Sequence, residues 1–330
     1  MDIIVPLILQ VAILFIMMVP GFLLKKCHLV QDGFGKGLSN LVLYIAQPAL
    51  IVYSYLDCES TPTLWINALW VLGLSLLAHV LFAMAALSLF RRAEDSKRRM
   101  LRFATVFSNA AFMGIPLIDV LLGAEATIYA SIYNISFNLF LWTLGVYFCT
   151  SRRDEDDDGI PDGEVKPRHP ISPLKVCLHP VMLSSAIGLI FLAVGIGPHL
   201  PGILTDSLLM LKNLVAPLSM VVIGLRIADM SFRGAFRDKY LYLFLTLRHV
   251  SLPLAILGLL WLLSVCGLPL SETVTTVILL LAATPAATSA TMFAEKYDCD
   301  AVYTSRTVVI STLLSIASMP LLMLLASAIL

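Results

Sequence analysis

The sequence predicts an all-α polytopic membrane protein of ten transmembrane helices, arranged as two inverted repeats of five. Three observations predict this class: the composition, the one-sided distribution of basic residues, and two proline-containing segments at matching places. The 330 residues are 59% apolar and 13% charged, with a mean hydropathy of +0.90. Soluble domains are nearer half apolar and a quarter charged. The net charge is zero, and no basic tract suits nucleic acid.

Ten apolar segments are each long enough to cross a bilayer, which takes about 20 residues of helix. The first segment is longer than the core of a signal peptide and has no basic region before it, so we expect it to stay in the protein. The predicted spans are 3–24, 37–56, 64–90, 101–122, 126–149, 178–197, 205–228, 240–266, 272–295 and 301–329.

Basic residues lie on one side of these spans. Of the 22 Lys and Arg residues, 21 lie in or beside alternate connections, and Lys212 is the exception. The positive-inside rule makes the basic side cytoplasmic and puts both termini outside. A side chain as long as that of Lys212 can reach the outer interface. We therefore expect an integral protein of the plasma (inner) membrane, with the loop 150–176 in the cytoplasm.

The polar stretch 150–176 divides the chain into two repeats, 1–149 and 177–330. Because each repeat has five spans, the second must enter the membrane with the opposite orientation. The segment Leu38-Ser-Asn-Leu-Val42 is echoed by Leu211-Lys-Asn-Leu-Val215, and a proline follows each. This echo supports an inverted repeat.

Spans four and nine each contain a proline among small and polar residues, Pro116 and Pro285. Proline removes a backbone donor and disturbs the preceding turn, and interrupted backbone is tolerated in lipid only where it is buried or lines a cavity. We expect both helices to open and cross, leaving the N–H groups of the following half-helices to receive an anion. Such an arrangement can bind a carboxylate without a buried basic side chain, which fits the absence of Lys and Arg near the centre of either span. The alternative is two simple kinks.

The segment Asn109-Ala-Ala-Phe-Met-Gly-Ile-Pro116-Leu resembles the fourth-span signature of the auxin efflux carrier family, and the chain from Pro285 to Pro320 resembles its ninth and tenth spans. This family, in the bile acid/sodium symporter superfamily, includes plant auxin exporters and bacterial carriers associated with malate or malonate. The resemblance implies crossover helices four and nine in a transport domain of spans 3–5 and 8–10. That domain moves against a scaffold of spans 1, 2, 6 and 7 in an elevator-type alternating-access cycle.

The resemblance also implies which residues meet the substrate. Asn109 matches a substrate-contacting asparagine, whereas Ser289 stands where many bacterial relatives have asparagine. The predicted substrate-binding residues are Asn109, Ala110, Gly114, Pro116, Thr284, Pro285, Thr288, Ser289 and Gln47. For Gln47 the alternative is a packing hydrogen bond.

Other polar residues in the spans have two interpretations each. Asp119 and His79 are candidates for proton or cation coupling, because intramembrane ionisable groups are costly. The alternatives are that Asp119 sits at the outer mouth and that His79 is a neutral buried group. Asn134 and Asn138, four residues apart, are expected to bond the broken fourth helix, with contact to the ligand as the alternative.

These observations predict a secondary transporter for small organic anions, either dicarboxylates or auxin-like carboxylates. The alternatives are a sodium-coupled symporter-like protein and a non-transporting membrane sensor on the same fold. No HExxH, GxSxG or paired intramembrane aspartates are present, so we expect no enzyme. We expect no cofactor, and H⁺ or Na⁺ coupling and a homodimer are left open.

Metal sites are not expected either. The six cysteines show no CxxC or Cys/His spacing, which argues against a zinc site. The acidic loop 154–164 resembles the start of a calcium loop, but its glutamate falls one residue early. We interpret this loop as a solvated linker, with calcium binding as the alternative.

Overall fold

The helices are seen in a computed structural model that describes residues 4–31, 33–150, 178–230, 237–268 and 270–330. The predicted acidic loop 154–164 lies outside the described residues. Within them the chain is helical, with no strand beyond an isolated β-bridge. A 3₁₀ turn at Gly197–His199 accompanies the main helices. These are α1 (Val5–Lys26), α2 (Phe34–Leu56), α3 (Pro62–Leu89), α4 (Asp95–Val106), α5 (Ala110–Thr150), α6 (Pro180–Val194), α7 (Gly202–Ala228), α8 (Lys239–Val265), α9 (Glu272–Ala283), α10 (Ser289–Lys296) and α11 (Ala301–Ile329).

Seven of the described helices, namely α1, α2, α3, α5, α7, α8 and α11, are long and apolar enough to cross a membrane. Helices α6 and α9 are apolar but shorter. Helix α5 has 41 residues, or about 60 Å at the rise of an α-helix, and Gly123 interrupts it with φ 80° and ψ −164°. The all-helical membrane class is confirmed. The number of long helices differs from the ten predicted spans because two helices are short and α5 is one bent run.

Helices α1 and α7 approach until backbone meets backbone. A Cβ added at Gly21 would overlap the carbonyl oxygen of Val221, and one added at Gly224 would overlap that of Met18. In a membrane, where apolar side chains gain little by leaving lipid, small residues that allow close approach stabilise helix pairs. The two glycines therefore hold α1 and α7 together.

Helix α2 packs against α6 and α7. Gly188 of α6 lies against the ring of Tyr55, so a Cβ there would overlap that ring. The hydroxyl of Tyr55 is 2.8 Å from the Ser131 hydroxyl of α5. Glycine contacts thus join α1 to α7 and α2 to α6, and Tyr55 also connects α2 to the neighbouring α5.

Replacing Gly224 with alanine should lower the melting temperature of the purified protein. The added Cβ meets backbone atoms that cannot move without separating α1 from α7, and such overpacking costs about 1–3 kcal/mol. Gly73→Ala is the matched control, because a Cβ at Gly73 of α3 meets nothing within 4 Å. Thermal denaturation in detergent compares the two, and equal melting temperatures would contradict the close contact.

Three helices contain a π-helical turn that ends two residues before a proline. Proline lacks the N–H and clashes with the carbonyl of the preceding turn, and a wider turn accommodates both changes. The helix therefore continues through each proline. The pairs are Val42–Ala46 with Pro48, Ala110–Gly114 with Pro116, and Leu247–Ser251 with Pro253.

Candidate functional site

The first interruption lies between α4 and α5. Phe107 is extended, with φ −94° and ψ 113°, and Asn109 leaves the helical region with ψ 46°. The π-turn Ala110–Gly114 follows at once, and Pro116 lies inside the helix. The opening expected from Asn109 to Pro116 is therefore confined to the start of that stretch.

The second interruption lies between α9 and α10. Thr284 has φ −59° and ψ 148°, the extended conformation that a following proline imposes. Helix α9 accordingly ends at Ala283, and α10 begins at Ser289. Here the proline does mark the break, in contrast to Pro116.

The two interruptions meet and exchange backbone hydrogen bonds. The Asn109 N–H donates to the Pro285 carbonyl oxygen at 2.7 Å, and the Ala287 N–H donates to the Phe107 carbonyl oxygen at 2.9 Å. Between them lies an antiparallel β-bridge. Irregular backbone at membrane depth must satisfy its polar groups inside the protein, and this exchange satisfies four of them. We call the paired stretches 107–109 and 284–288 the crossing.

Arg248 of α8 binds the carbonyl ends of both interrupted helices. Its Nε and Nη2 donate to the Thr284 carbonyl oxygen at 3.1 and 2.7 Å. Nη2 also reaches the carbonyl of Ala282, and Nη1 that of Thr105, each at 3.2 Å. The side chain is 0% exposed, and its guanidinium lies 5.5 Å from the centre of the Phe82 ring. Because helix C-termini carry partial negative charge, one cation stabilises α4 and α9 together.

The crossing thus contains a buried basic side chain from α8, which the sequence prediction did not include. The charge pattern assigned Arg248 to the cytoplasmic edge, but it lies about 14 Å along α8 from Lys239 at the helical rise. It is tolerated there because its planar guanidinium satisfies several carbonyls at once.

A second set of side chains holds the crossing from α8 and α11. The Ala286 N–H donates to the Ser311 hydroxyl at 3.0 Å. That hydroxyl lies 2.8 Å from Nε2 of His249, whose Nδ1 lies 2.9 Å from the Ser318 hydroxyl. The crossing is thus fixed to two further helices by polar contacts.

A cavity of about 750 Å³ reaches the crossing from one end of the molecule. Asn109, Thr288 and Ser289 line its inner part, together with Asn134 and Asn138 of α5. Its other lining residues lie where α1, α7 and α10 end and where α2 and α6 begin, so the cavity opens at that end. Its size suits a small organic ligand.

Polar atoms at the inner end of the cavity have no hydrogen-bond partner among the described residues. They include Asn109 Nδ2, Ser289 Oγ and both polar atoms of the Asn134 amide. Buried polar groups are normally bonded, so such a cluster beside a cavity indicates a ligand-binding wall. Asn138 donates to the Asn134 carbonyl at 2.8 Å, not to the broken helix as expected.

The other predicted substrate-binding residues lie in or beside the crossing but outside the described cavity lining. The Thr284 hydroxyl donates to the Leu281 carbonyl at 2.8 Å, and a Cβ at Gly114 would crowd the Leu281 side chain. Gln47 Nε2 reaches the Ala111 carbonyl at 3.4 Å. These contacts shape the crossing. The residues concerned are Ala110, Gly114, Pro116, Thr284, Pro285 and Gln47.

Asp119 and Lys212 form an ion pair between α5 and α7. Lys212 Nζ lies 2.9 Å from Asp119 Oδ1, which also accepts a hydrogen bond from the Thr127 hydroxyl at 3.2 Å. Both side chains are 13% exposed, and Lys212 Nζ lies 4.8 Å from the centre of the Tyr53 ring of α2. The pair explains why Lys212 departs from the one-sided charge pattern. Neither residue is part of the described cavity lining.

His79 is fully buried in α3 away from the cavity. Its Nδ1 lies 2.7 Å from the Ser75 carbonyl oxygen, so this nitrogen carries the proton. The ring stacks on Phe140 at 5.3 Å and contacts Tyr133 at 5.2 Å. These contacts fix the imidazole between α3 and α5.

Cationic side chains outnumber acidic ones in the described cavity lining. Lys25 pairs with Asp229 at 3.4 Å, and Arg226 Nη1 donates to the Thr288 carbonyl at 3.2 Å. The described residues contain no cluster of three or more metal-ligating side chains. The wall therefore suits an organic anion. Its charged members are Lys25, Lys36, Arg226, Lys296, Asp229 and Glu295.

Interrupted helices that cross beside a cavity open at one end are the arrangement of a membrane transporter. Comparison with known proteins gives the same class. A family model described as membrane transport protein matches residues 6–323. This chain therefore belongs to that family, the auxin efflux carrier-like transporters, and the predicted resemblance is confirmed.

A similar protein occurs in Methanothermobacter thermautotrophicus, where it is described as an uncharacterized transporter. It is 25% identical over 305 residues, which cover 91% of this chain and 92% of that protein. Family membership and the apolar helices together make this chain an integral membrane protein.

Proposed function

We propose that this protein is a secondary transporter of small organic anions, either dicarboxylates or auxin-like carboxylates, which works by elevator-type alternating access. The observation that carries the proposal is a pair of polar atoms at the inner end of the cavity, Asn109 Nδ2 and Ser289 Oγ, which no other described residue bonds. Both can donate to a carboxylate, and α5 and α10 begin beside them. The positive ends of these helices favour an anion.

The proposed cycle divides the helices into two groups. The scaffold contains α1, α2, α6 and α7, which the glycine contacts support. The transport group contains α3–α5 and α8–α11, in which Arg248 and His249 tie the crossing to α8 and α11. If α5 crosses twice by turning at Gly123, and α6 and the interrupted pair α9–α10 each cross once, the ten-span inverted repeat follows.

Cavity and ion pair lie toward opposite ends of the molecule in this scheme. The cavity opens among Lys25, Lys36 and Lys296, which the positive-inside rule assigns to the cytoplasm. The Asp119–Lys212 pair joins the transport group to the scaffold where the predicted topology puts the outer face. The structure then corresponds to an inward-open state whose outer side this pair keeps closed.

Neutralising the pair should open the outer side more often. Partly exposed ion pairs contribute up to about 1 kcal/mol, so Asp119→Asn should raise the outward-open population about two- to fivefold. The reporter is Ala111→Cys on the cavity wall, labelled from outside with a membrane-impermeant thiol reagent and compared with the same protein lacking that cysteine.

The charge swap Asp119→Lys with Lys212→Asp should restore low outside labelling, because it rebuilds the attraction. Glu125→Gln is the matched control, since it removes an acid that bonds Tyr129 within α5 instead of bridging the two groups. Equal outside labelling of wild type and Asp119→Asn would count against the pair as an outer closure.

Uptake into proteoliposomes tests the function itself. Labelled malonate, malate and indole-3-acetate are offered with and without sodium and pH gradients. We expect saturable uptake of at least one carboxylate, driven by a proton gradient or by the substrate gradient alone. We expect no dependence on sodium, because a sodium site would draw on acidic side chains and the described crossing has none. Dependence on sodium would favour the symporter-like alternative. Binding without uptake would favour the sensor, and neither binding nor uptake would contradict the proposal.

A further inference from the structure

A cation of α7, on the scaffold side, reaches the crossing at Thr288. Arg226 lies in the last turn of α7 and lines the cavity. Its Nη1 donates to the carbonyl of Thr288 at 3.2 Å. Thr288 immediately precedes Ser289, whose hydroxyl has no partner among the described residues. The guanidinium therefore spans the gap between α7 and the start of α10.

The chemistry of this side chain differs from that of the lysines nearer the mouth. A guanidinium is planar, always charged, and presents five N–H donors in a fork that matches a carboxylate. The contact with Thr288 uses one of these donors on a neutral carbonyl. A carboxylate is a stronger acceptor, since hydrogen bonds between ionised groups are about twice as strong as neutral ones.

We infer that Arg226 is a specificity-determining residue that receives one carboxylate of a dicarboxylate substrate, while Asn109 and Ser289 receive the other. The inference rests on the proposed transport function and narrows its substrate class. The two carboxylate-binding positions, one on the crossing and one on α7, match an anion with a negative group at each end. A monocarboxylate can bind at only one of these two positions at a time.

The contact between Arg226 and the Thr288 carbonyl also connects substrate binding to movement of the crossing relative to the scaffold. Without substrate, Arg226 holds the Thr288 carbonyl and so joins α7 to the interrupted helix. A bound carboxylate draws the guanidinium away from that carbonyl and breaks this direct link. The crossing is then joined to the scaffold through the substrate.

Malonate uptake into proteoliposomes tests the assignment with Arg226→Gln and Arg226→Lys. Arg226→Gln should raise the KM for malonate about 10- to 100-fold, the usual effect of losing a charged hydrogen bond, and the KM for indole-3-acetate less than about threefold. Arg226→Lys keeps the charge but loses the planar set of N–H donors, so its malonate KM should lie between those of wild type and Arg226→Gln. Lys239→Gln, an exposed cation at the start of α8, should leave both values unchanged.

Stability measured with and without ligand separates binding from a structural role. Malonate should raise the melting temperature of wild type and Lys239→Gln but not that of Arg226→Gln. If Arg226→Gln does not fold, an unchanged malonate KM in Arg226→Lys overturns the inference. The inference is also overturned if wild type takes up monocarboxylates alone. An equal malonate KM in wild type and Arg226→Gln overturns it as well. Absence of any carboxylate uptake by wild type contradicts the proposed function instead.

Discussion

Proteoliposomes containing Asn109→Ala are expected to take up the transported anion at about 1–10% of the wild-type rate, measured well below KM. The substitution removes the Nδ2 donor at the inner end of the cavity. A hydrogen bond to a charged group contributes about 1.5–3 kcal/mol, which is roughly 10- to 100-fold in affinity. Initial rates of labelled uptake give the comparison.

The crossing itself should survive this substitution. Alanine keeps the backbone N–H that donates to Pro285, so the melting temperature without substrate should stay close to that of wild type. Asn213→Ala, which removes an exposed amide from α7, is the matched control and should transport normally. If Asn109→Ala takes up the anion at the wild-type rate, Asn109 does not bind the substrate.

Replacing Arg248 with methionine is expected to prevent accumulation of a well-folded protein. The carbonyls of Thr105, Ala282 and Thr284 would lose a donor, and all three residues are buried. Each unsatisfied buried group costs about 1–3 kcal/mol, and removing one side of a buried charged network typically costs about 3–5 kcal/mol. Size-exclusion profiles and melting temperatures in detergent would report the loss.

Two further variants sharpen this prediction. Arg248→Lys keeps the charge near the ends of α4 and α9 but cannot reach three carbonyls in a planar fork, so its melting temperature should lie between wild type and Arg248→Met. Lys239→Gln, an exposed cation on the same helix, should be neutral. A wild-type melting temperature for Arg248→Met would show that the carbonyls find other partners.

The sequence predicts the two interruptions because their causes are local. Pro285 forces Thr284 out of the helix, and the polar pair Ser108 and Asn109, followed by two alanines, marks the other break. Pro116 does not mark the position of the break, because the π-turn Ala110–Gly114 accommodates the proline and the helix continues through it. Such a π-turn depends on how neighbouring helices pack, and no short sequence pattern predicts it.

The two arginines at the crossing could not be assigned from the sequence. Arg248 and Arg226 bind carbonyls 34 or more residues away, and no short-range pattern encodes such contacts. The one-sided pattern of basic residues places both beside a cytoplasmic connection instead. For Arg248 a signal existed, because it stands well inside an apolar segment, where a charged residue is costly and usually functional.

The buried guanidinium of Arg248 has an electrical consequence. In the proposed cycle it moves with the crossing, so Arg248 contributes one positive charge that is carried across part of the membrane potential. A full crossing of 100 mV by one charge is worth about 2.3 kcal/mol. A potential that is negative inside would favour the inward position of this charge, and one carboxylate of a bound substrate would offset it. A second carboxylate would add a negative charge, so the resting potential of a cell would assist the export of a dianion more than that of a monoanion.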